Sequence, residues 1–214
     1  MATMRGTPKA SYESKLNANP DWALREGSMH FDEKSAVYQS LKTIAKRLDE
    51  LQIPYAVAGG MALFSFGFRR FTEDVDILVS PAGLREIHER LEGLGYVAPF
   101  TGSKQLRDTA TGVRIEFLVA GQFPGDGKPK PIAFPDPAAV AVEIDGIKYL
   151  RLEKLIELKL ASGMTNPGRL KDLADVQELI RVLKLEKDFQ TRLDPYVQPK
   201  FLELLSGVEA DRAE

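Results

Sequence analysis

The chain contains no cysteine. Disulfides, thiolate zinc sites and cysteine nucleophiles are excluded together, and a reducing cytosol fits that composition. Histidine is nearly as scarce, with His30 and His88 the only two. A multi-histidine metal site or a Ser-His-Asp triad is therefore poorly supported, and a metal, if used, should be a hard, oxygen-liking ion. No run approaches the ~20 apolar residues that span a bilayer. The N-terminus lacks the apolar core of a signal peptide. A cytoplasmic protein with no membrane partner is expected. Neither sign of charge is in surplus: 29 Lys and Arg face 31 Asp and Glu. A strongly basic nucleic-acid surface is not advertised, although a local basic patch is compatible with this balance.

What is present is enough apolar residue, 43% of 214, to bury one good core. Residues 1–33 carry no clean period and read as a flexible N-terminal arm. From Lys34 to Leu51, Val37, Leu41, Ile44, Ala45, Leu48 and Leu51 fall on one helical stripe. Tyr55–Ala58 reads as a buried strand broken by Gly59 and Gly60, with a short helix over Met61–Phe66. Val75–Val79 is a second apolar strand, and Pro81 opens a further helix. Gly95–Val97 starts a strand, and Gln105–Asp108 with Val113–Val119 reads as a hairpin. Residues 121–137 hold five prolines and three glycines and form a loop, followed by weaker strands within Val140–Leu150. Leu152–Ser162, Arg169–Leu183, Lys187–Arg192 and Pro195–Leu205 read as helices, and residues 207–214 as a polar tail. The expected organisation is an α/β core over 34–150 and a helical region over 151–206 packed on it.

The informative segment is AVAGGMALFSFGFRRFTEDVDILVS. A buried strand ends in two glycines, which let backbone approach a ligand closely. The helix that follows offers free N–H groups to phosphate. Asp74 and Asp76 lie two apart in a strand and so aim at one point. Like charges held close repel unless a cation joins them, and a divalent ion would also neutralise a triphosphate. Glu116, inside the apolar run Val113–Val119, is the best third acid, because a lone carboxylate is expensive to bury there. Each feature has a plainer reading. A lone Asp-x-Asp is usually a solvated turn, and Glu116 alone can face outward from a half-exposed strand. The ordered combination carries the weight.

At these residues the chain resembles the nucleotidyltransferase superfamily, the polymerase-beta-like fold. The motif stands as Gly59-Gly60, the spacer Met61–Glu73, and Asp74-Val75-Asp76. With Ala62, Gly67, Arg70 and Thr72 before the acids, it looks most like the AbiEii-type branch, which includes bacterial toxins. Arg114-Ile115-Glu116 is similar to a basic-x-acid strand of that branch. LEKLIELKLASGMTNPGRLKDLADVQEL is similar to its helical motif, with Lys159, Arg169, Lys171, Asp172 and Asp175 as the matching residues. The resemblance implies a mixed sheet flanked by helices, with Asp74, Asp76 and Glu116 holding Mg²⁺ or Mn²⁺. It also implies that Gly59, Gly60, Arg70, Thr72, Lys159, Asp172 and Asp175 bind the nucleotide and its phosphates. The implied activity moves an NMP from an NTP to an acceptor hydroxyl, on RNA or tRNA, with an antitoxin as partner. A protein or small-molecule acceptor, and a non-catalytic nucleotide-binding module, stay open beside it. So does a plain reading of the second motif: Lys159 can snorkel, and Asp172 and Asp175 suit the first turns of a helix. Met61 follows Gly60, so that position has no hydroxyl for phosphate.

Overall fold

A computed structural model describes residues 11–213. In chain order the elements are α1 (Tyr12–Ala18), α2 (Pro20–Phe31), α3 (Ala36–Glu50), β1 (Tyr55–Val57), α4 (Gly59–Ser65), β2 (Asp74–Val79), α5 (Pro81–Leu91) and β3 (Tyr96–Val97). Then come β4 (Gln105–Asp108), β5 (Arg114–Val119), α6 (Pro137–Val140), β6 (Ala141–Ile144), β7 (Ile147–Leu150), α7 (Leu152–Thr165), α8 (Leu170–Leu183) and α9 (Gln198–Ala213). Short 3₁₀ turns at Pro167–Arg169 and Lys187–Arg192 link the last three helices.

The strands form one mixed sheet in the order β3-β4-β5-β2-β1-β7-β6. β2 lies parallel to β5 with Asp74 opposite Arg114 and Asp76 opposite Glu116. β1 runs antiparallel to β2 and parallel to β7. This arrangement brings the end of β1, where the two glycines stand, beside the beginnings of β2 and β5. Period-2 alternation does the rest. Val75, Ile77, Ile115 and Phe117 are buried on one side, while Asp74, Asp76, Arg114 and Glu116 share the other and stay half-buried. The helical stripe read over 34–51 is α3, whose Val37, Leu41, Ile44 and Leu48 are buried against the sheet. Ser35 caps it by accepting from the Tyr38 amide at 3.3 Å, a cap typically worth ~1 kcal/mol.

The N-terminal residues depart from the expected arm. From Tyr12 onward they form two helices. Ser11 and Asn19 cap these helices, accepting from the amides of Ser14 and Trp22, and Pro20 opens the second. Tyr12 and His30 are fully buried. The anchors are sparse and aromatic, so no helical stripe announces them. Residues 1–10 of the expected arm lie outside the described residues. The expected tail also differs: α9 continues through Ala213, because Leu205 and Val208 remain on its buried side and carry the helix past Gly207. Lys187–Arg192 winds as a 3₁₀ turn rather than an α-helix.

Among the described residues no helix is long and apolar enough to cross a membrane.

Candidate metal and nucleotide site

Asp74 and Asp76 leave β2 on the same face, and Glu116 projects from β5 alongside them. Each offers a carboxylate oxygen, and these atoms lie within 4.8 Å of one another. Burial of Asp76, followed by the charges of Asp74 and Glu116, pushes its carboxyl up from 3.8 to about 7; Lys159 and Arg114 pull the other way. The cluster is short of positive charge. Its donors are all hard oxygens at a spacing that one divalent ion can share, so the residues fit such an ion.

The glycine pair shapes the same spot. Gly59 has φ +56°, and a Cβ there would lie 1.7 Å from Asp76 Oδ2. A Cβ at Gly60 would lie 2.7 Å from the Thr72 side chain. The glycines therefore make room for the Asp76 and Thr72 side chains. The Ala58 amide donates to the Asp76 carbonyl at 2.9 Å, which fixes the turn against β2. Thr72 Oγ1 donates to Asp74 Oδ1 at 3.0 Å, and Arg114 donates to Asp74 Oδ2 at 2.5 Å.

Facing the sheet are α7 and α8. Lys159 is buried and reaches Asp175 at 2.7 Å and Asp172 at 3.0 Å. Arg70 grips Asp175 with two donors, at 2.8 and 3.0 Å. Ser162, one helical turn after Lys159, donates to Asp172 at 2.6 Å. Nearby Lys159, Ser162 and Arg169 hold the Asp172 carboxyl below its ordinary range against the opposing effect of burial.

A cleft of about 380 Å³ opens between the two walls, in the size range of small-molecule sites. Of the residues expected from the sequence, Gly59, Gly60, Arg70, Thr72, Asp74, Asp76, Glu116, Lys159 and Asp172 line it. Asp175 does not: it lies 3% exposed beneath Arg70 and Lys159 and holds both. Besides Arg114, two further basic residues line the cleft, Arg169 and Lys171. Both are exposed, and among the described residues neither makes an ion pair within 4 Å. Their signal was present in the same Arg-x-Lys-Asp run, but burial decides which basic residue is tied up and which stays available.

Beyond Glu116 the cleft adjoins a second chamber of about 420 Å³. Glu116, Leu118, Phe134 and Arg169 line both spaces. Lys104, Gln122 and Phe123 are among the residues that line only the outer one. Its wall is the proline-rich loop after β5. Lys130 fastens that loop, donating to the Pro124 carbonyl, to Asp126 and to Thr165 Oγ1, and Asn166 donates to the Gly125 carbonyl.

No protein-family model matches the chain, and no curated protein does. Solved structures are similar to it at low identity. ANT(2")-Ia in complex with adenylyl-2"-tobramycin is 14% identical, with a TM-score of 0.45, over 77% of this chain and 92% of that one. An antigenic nucleotidyltransferase-like protein from Paracoccidioides brasiliensis is 19% identical, with a TM-score of 0.44, over 78% and 91%. JHP933 from Helicobacter pylori is 17% identical, with a TM-score of 0.45, over 81% and 89%.

Proposed function

We propose that this chain is a metal-dependent nucleotidyltransferase that moves a nucleoside monophosphate from an NTP to an acceptor hydroxyl. The observation that carries the reading is the meeting of Asp74, Asp76 and Glu116, from two parallel strands, on the floor of a cleft that Arg169 and Lys171 also line. The three carboxylates would hold Mg²⁺ or Mn²⁺, which supplies charge neutralisation at the triphosphate. Arg169 and Lys171 meet phosphate oxygens from the helical side, and the open backbone at Gly59-Gly60 lets the nucleotide lie close. Lys159 and Arg70 shape the site through Asp172 and Asp175 and lend it positive charge. A Glu116 carboxylate oxygen takes the acceptor's hydroxyl proton. The acceptor oxygen bonds to the α-phosphorus as the bond to pyrophosphate breaks. Positioning and charge neutralisation supply most of the rate in such sites. The α/β core over 34–150 and the helical region over 151–206 act as one catalytic unit in this reading.

The acceptor we infer is RNA, a tRNA end included. The chamber beyond Glu116 has Lys104 and Arg169 as its charged walls, and Glu116 is the single acid in its lining among the described residues. Basic walls suit a phosphate backbone, and Phe123 and Phe134 give a base something to stack on. An amine-bearing small molecule would ask for carboxylates there. Membership of the AbiEii-type branch, a toxin role and an antitoxin partner rest on the sequence motifs through Asp172 and Asp175.

The test is a transfer assay with Mg²⁺, each of four α-labelled NTPs, and total RNA, aminoglycosides or protein alone as acceptor. Label on RNA that disappears with Asp76→Asn is the expected result. Label on an aminoglycoside or on protein would replace the acceptor assignment. No label anywhere, with no NTP binding by calorimetry, would leave a non-catalytic module.

A further inference from the structure

Arg114 is the one basic side chain, among the described residues, that forms an ion pair with an acid of the triad. The parallel register sets it opposite Asp74, and its guanidinium holds Asp74 Oδ2 at 2.5 Å. Thr72 occupies the other oxygen at 3.0 Å. Both Asp74 oxygens are thus already engaged by protein donors. The other cations differ in kind. Arg70 and Lys159 are tied to Asp175, and Lys159 to Asp172 as well. Arg114 has no such double anchor: its Nε is buried without a hydrogen-bond partner, and the side chain is a third exposed. It is fastened at one end, to a residue that a cation also needs, and it lines the cleft where a triphosphate would lie.

We propose that Arg114 is an exchangeable counter-ion for Asp74. It holds the carboxylate until a divalent cation takes that oxygen, and it then turns to the nucleotide phosphates. The inference rests on the metal-dependent reading of the triad. Two opposite consequences follow from one side chain. Competition from Arg114 weakens binding of the cation alone, because the cation must displace a charge-assisted hydrogen bond and enters beside a positive charge. The same guanidinium strengthens nucleotide binding once it is released. A residue that merely braced β5 against β2 would weaken both.

Mn²⁺ binding without nucleotide, followed by loss of the free-ion electron paramagnetic resonance signal, reads the first consequence. Calorimetry with a non-hydrolysable ATP analogue at saturating Mn²⁺ reads the second. Arg114→Gln should bind Mn²⁺ about tenfold tighter than the parent, the size expected for removing one charge-assisted competitor, and should bind the analogue roughly tenfold more weakly. Arg114→Lys keeps the charge with less reach and should fall between; it also serves if the glutamine variant does not fold. Equal or weaker Mn²⁺ binding in the variants overturns the exchange while leaving the metal centre standing. No Mn²⁺ binding in parent or variants, matching an Asp76→Asn control, overturns the exchange and the metal-dependent reading together.

Discussion

Between pH 4 and 7 the folded chain keeps a proton on Asp76 that the unfolded chain releases, because burial and the charges of Asp74 and Glu116 raise its pKa from 3.8 to about 7. The folded state binds more protons across this window, so this group's contribution to stability falls as pH rises through it. Above pH 7 the carboxylate is ionised beside two others and the cost is complete. Asp76→Asn removes that charge. Thermal unfolding in chelator at pH 8 should therefore show the variant melting above the parent, with Mg²⁺ raising the parent's midpoint and leaving the variant's unchanged. A variant that melts lower than the parent in chelator would contradict the like-charge account. Asp74 and Asp76 were legible as a pair because strand alternation is a local rule, and Glu116 was legible only as a candidate that the β2–β5 register then sets opposite Asp76. The pairing of Arg114 with Asp74 was not legible. It depends on the register of two strands that are far apart in the chain.

At the scale of elements, a charge network joins the segment before β2 to α7 and α8. Asp175 is its centre, accepting from Arg70 Nε and Nη2 and from Lys159 Nζ. Asp175 is almost wholly buried, as is Lys159. Removing the centre leaves the Arg70 guanidinium without its counter-charge and the desolvated Lys159 ammonium with Asp172 alone. Breaking a buried pair in this way typically costs ~3–5 kcal/mol, and Asp175→Asn should fall near the lower end because its amide oxygen still accepts. Urea denaturation should show the loss as a lower midpoint with an unchanged slope. If Asp175 instead served mainly as a ligand-binding residue, the variant would lose nucleotide affinity and keep its midpoint. The sequence marked Lys159, Asp172 and Asp175 as a group but not which of them would reach the cleft. Helical spacing tells which side chains share a stripe. It does not tell which partner helix that stripe meets, and here α8 and Arg70 meet it first.

For the molecule as a whole, the N-terminal helices are a clamp on the site rather than an appendage. Glu26 accepts from the Tyr12 hydroxyl and from the Ala36 amide, both at 3.0 Å, and so ties α1 and α2 to the start of α3. Glu13 pairs with Arg107 at 2.9 Å, and the Tyr12 amide donates to the Gly112 carbonyl at the β4–β5 turn. His30 packs edge-on against Phe64 and Phe71, each 5.3 Å between ring centres. Its Nε2 lies 3.1 Å from the Arg70 carbonyl. A carbonyl only accepts, so Nε2 carries the proton and Nδ1 faces the Ser35 hydroxyl at 3.3 Å as acceptor. That bond holds the backbone of Arg70, two residues before Thr72 and four before Asp74. The sequence hid this because its anchors, Tyr12, Glu26 and His30, are few and polar-tipped, and a hydrophobic period does not register them. Two truncating changes separate the alternatives. A chain starting at residue 34 would be nearly as stable as the parent if the first 33 residues were an arm. With the clamp it should lose several kcal/mol, since it uncovers the aromatic cluster and strips the polar contacts that Tyr12, Glu13, Glu26 and His30 make with the rest of the chain. His30→Ala should cost about 3 kcal/mol by the same count, and its remaining folded fraction should bind nucleotide more weakly because the Arg70–Asp74 segment is no longer held. Denaturant midpoints for both chains, with nucleotide calorimetry on the point variant, decide between the two: an unchanged midpoint in the shortened chain restores the arm, and a large drop makes residues 12–31 part of the fold that holds the acidic cluster.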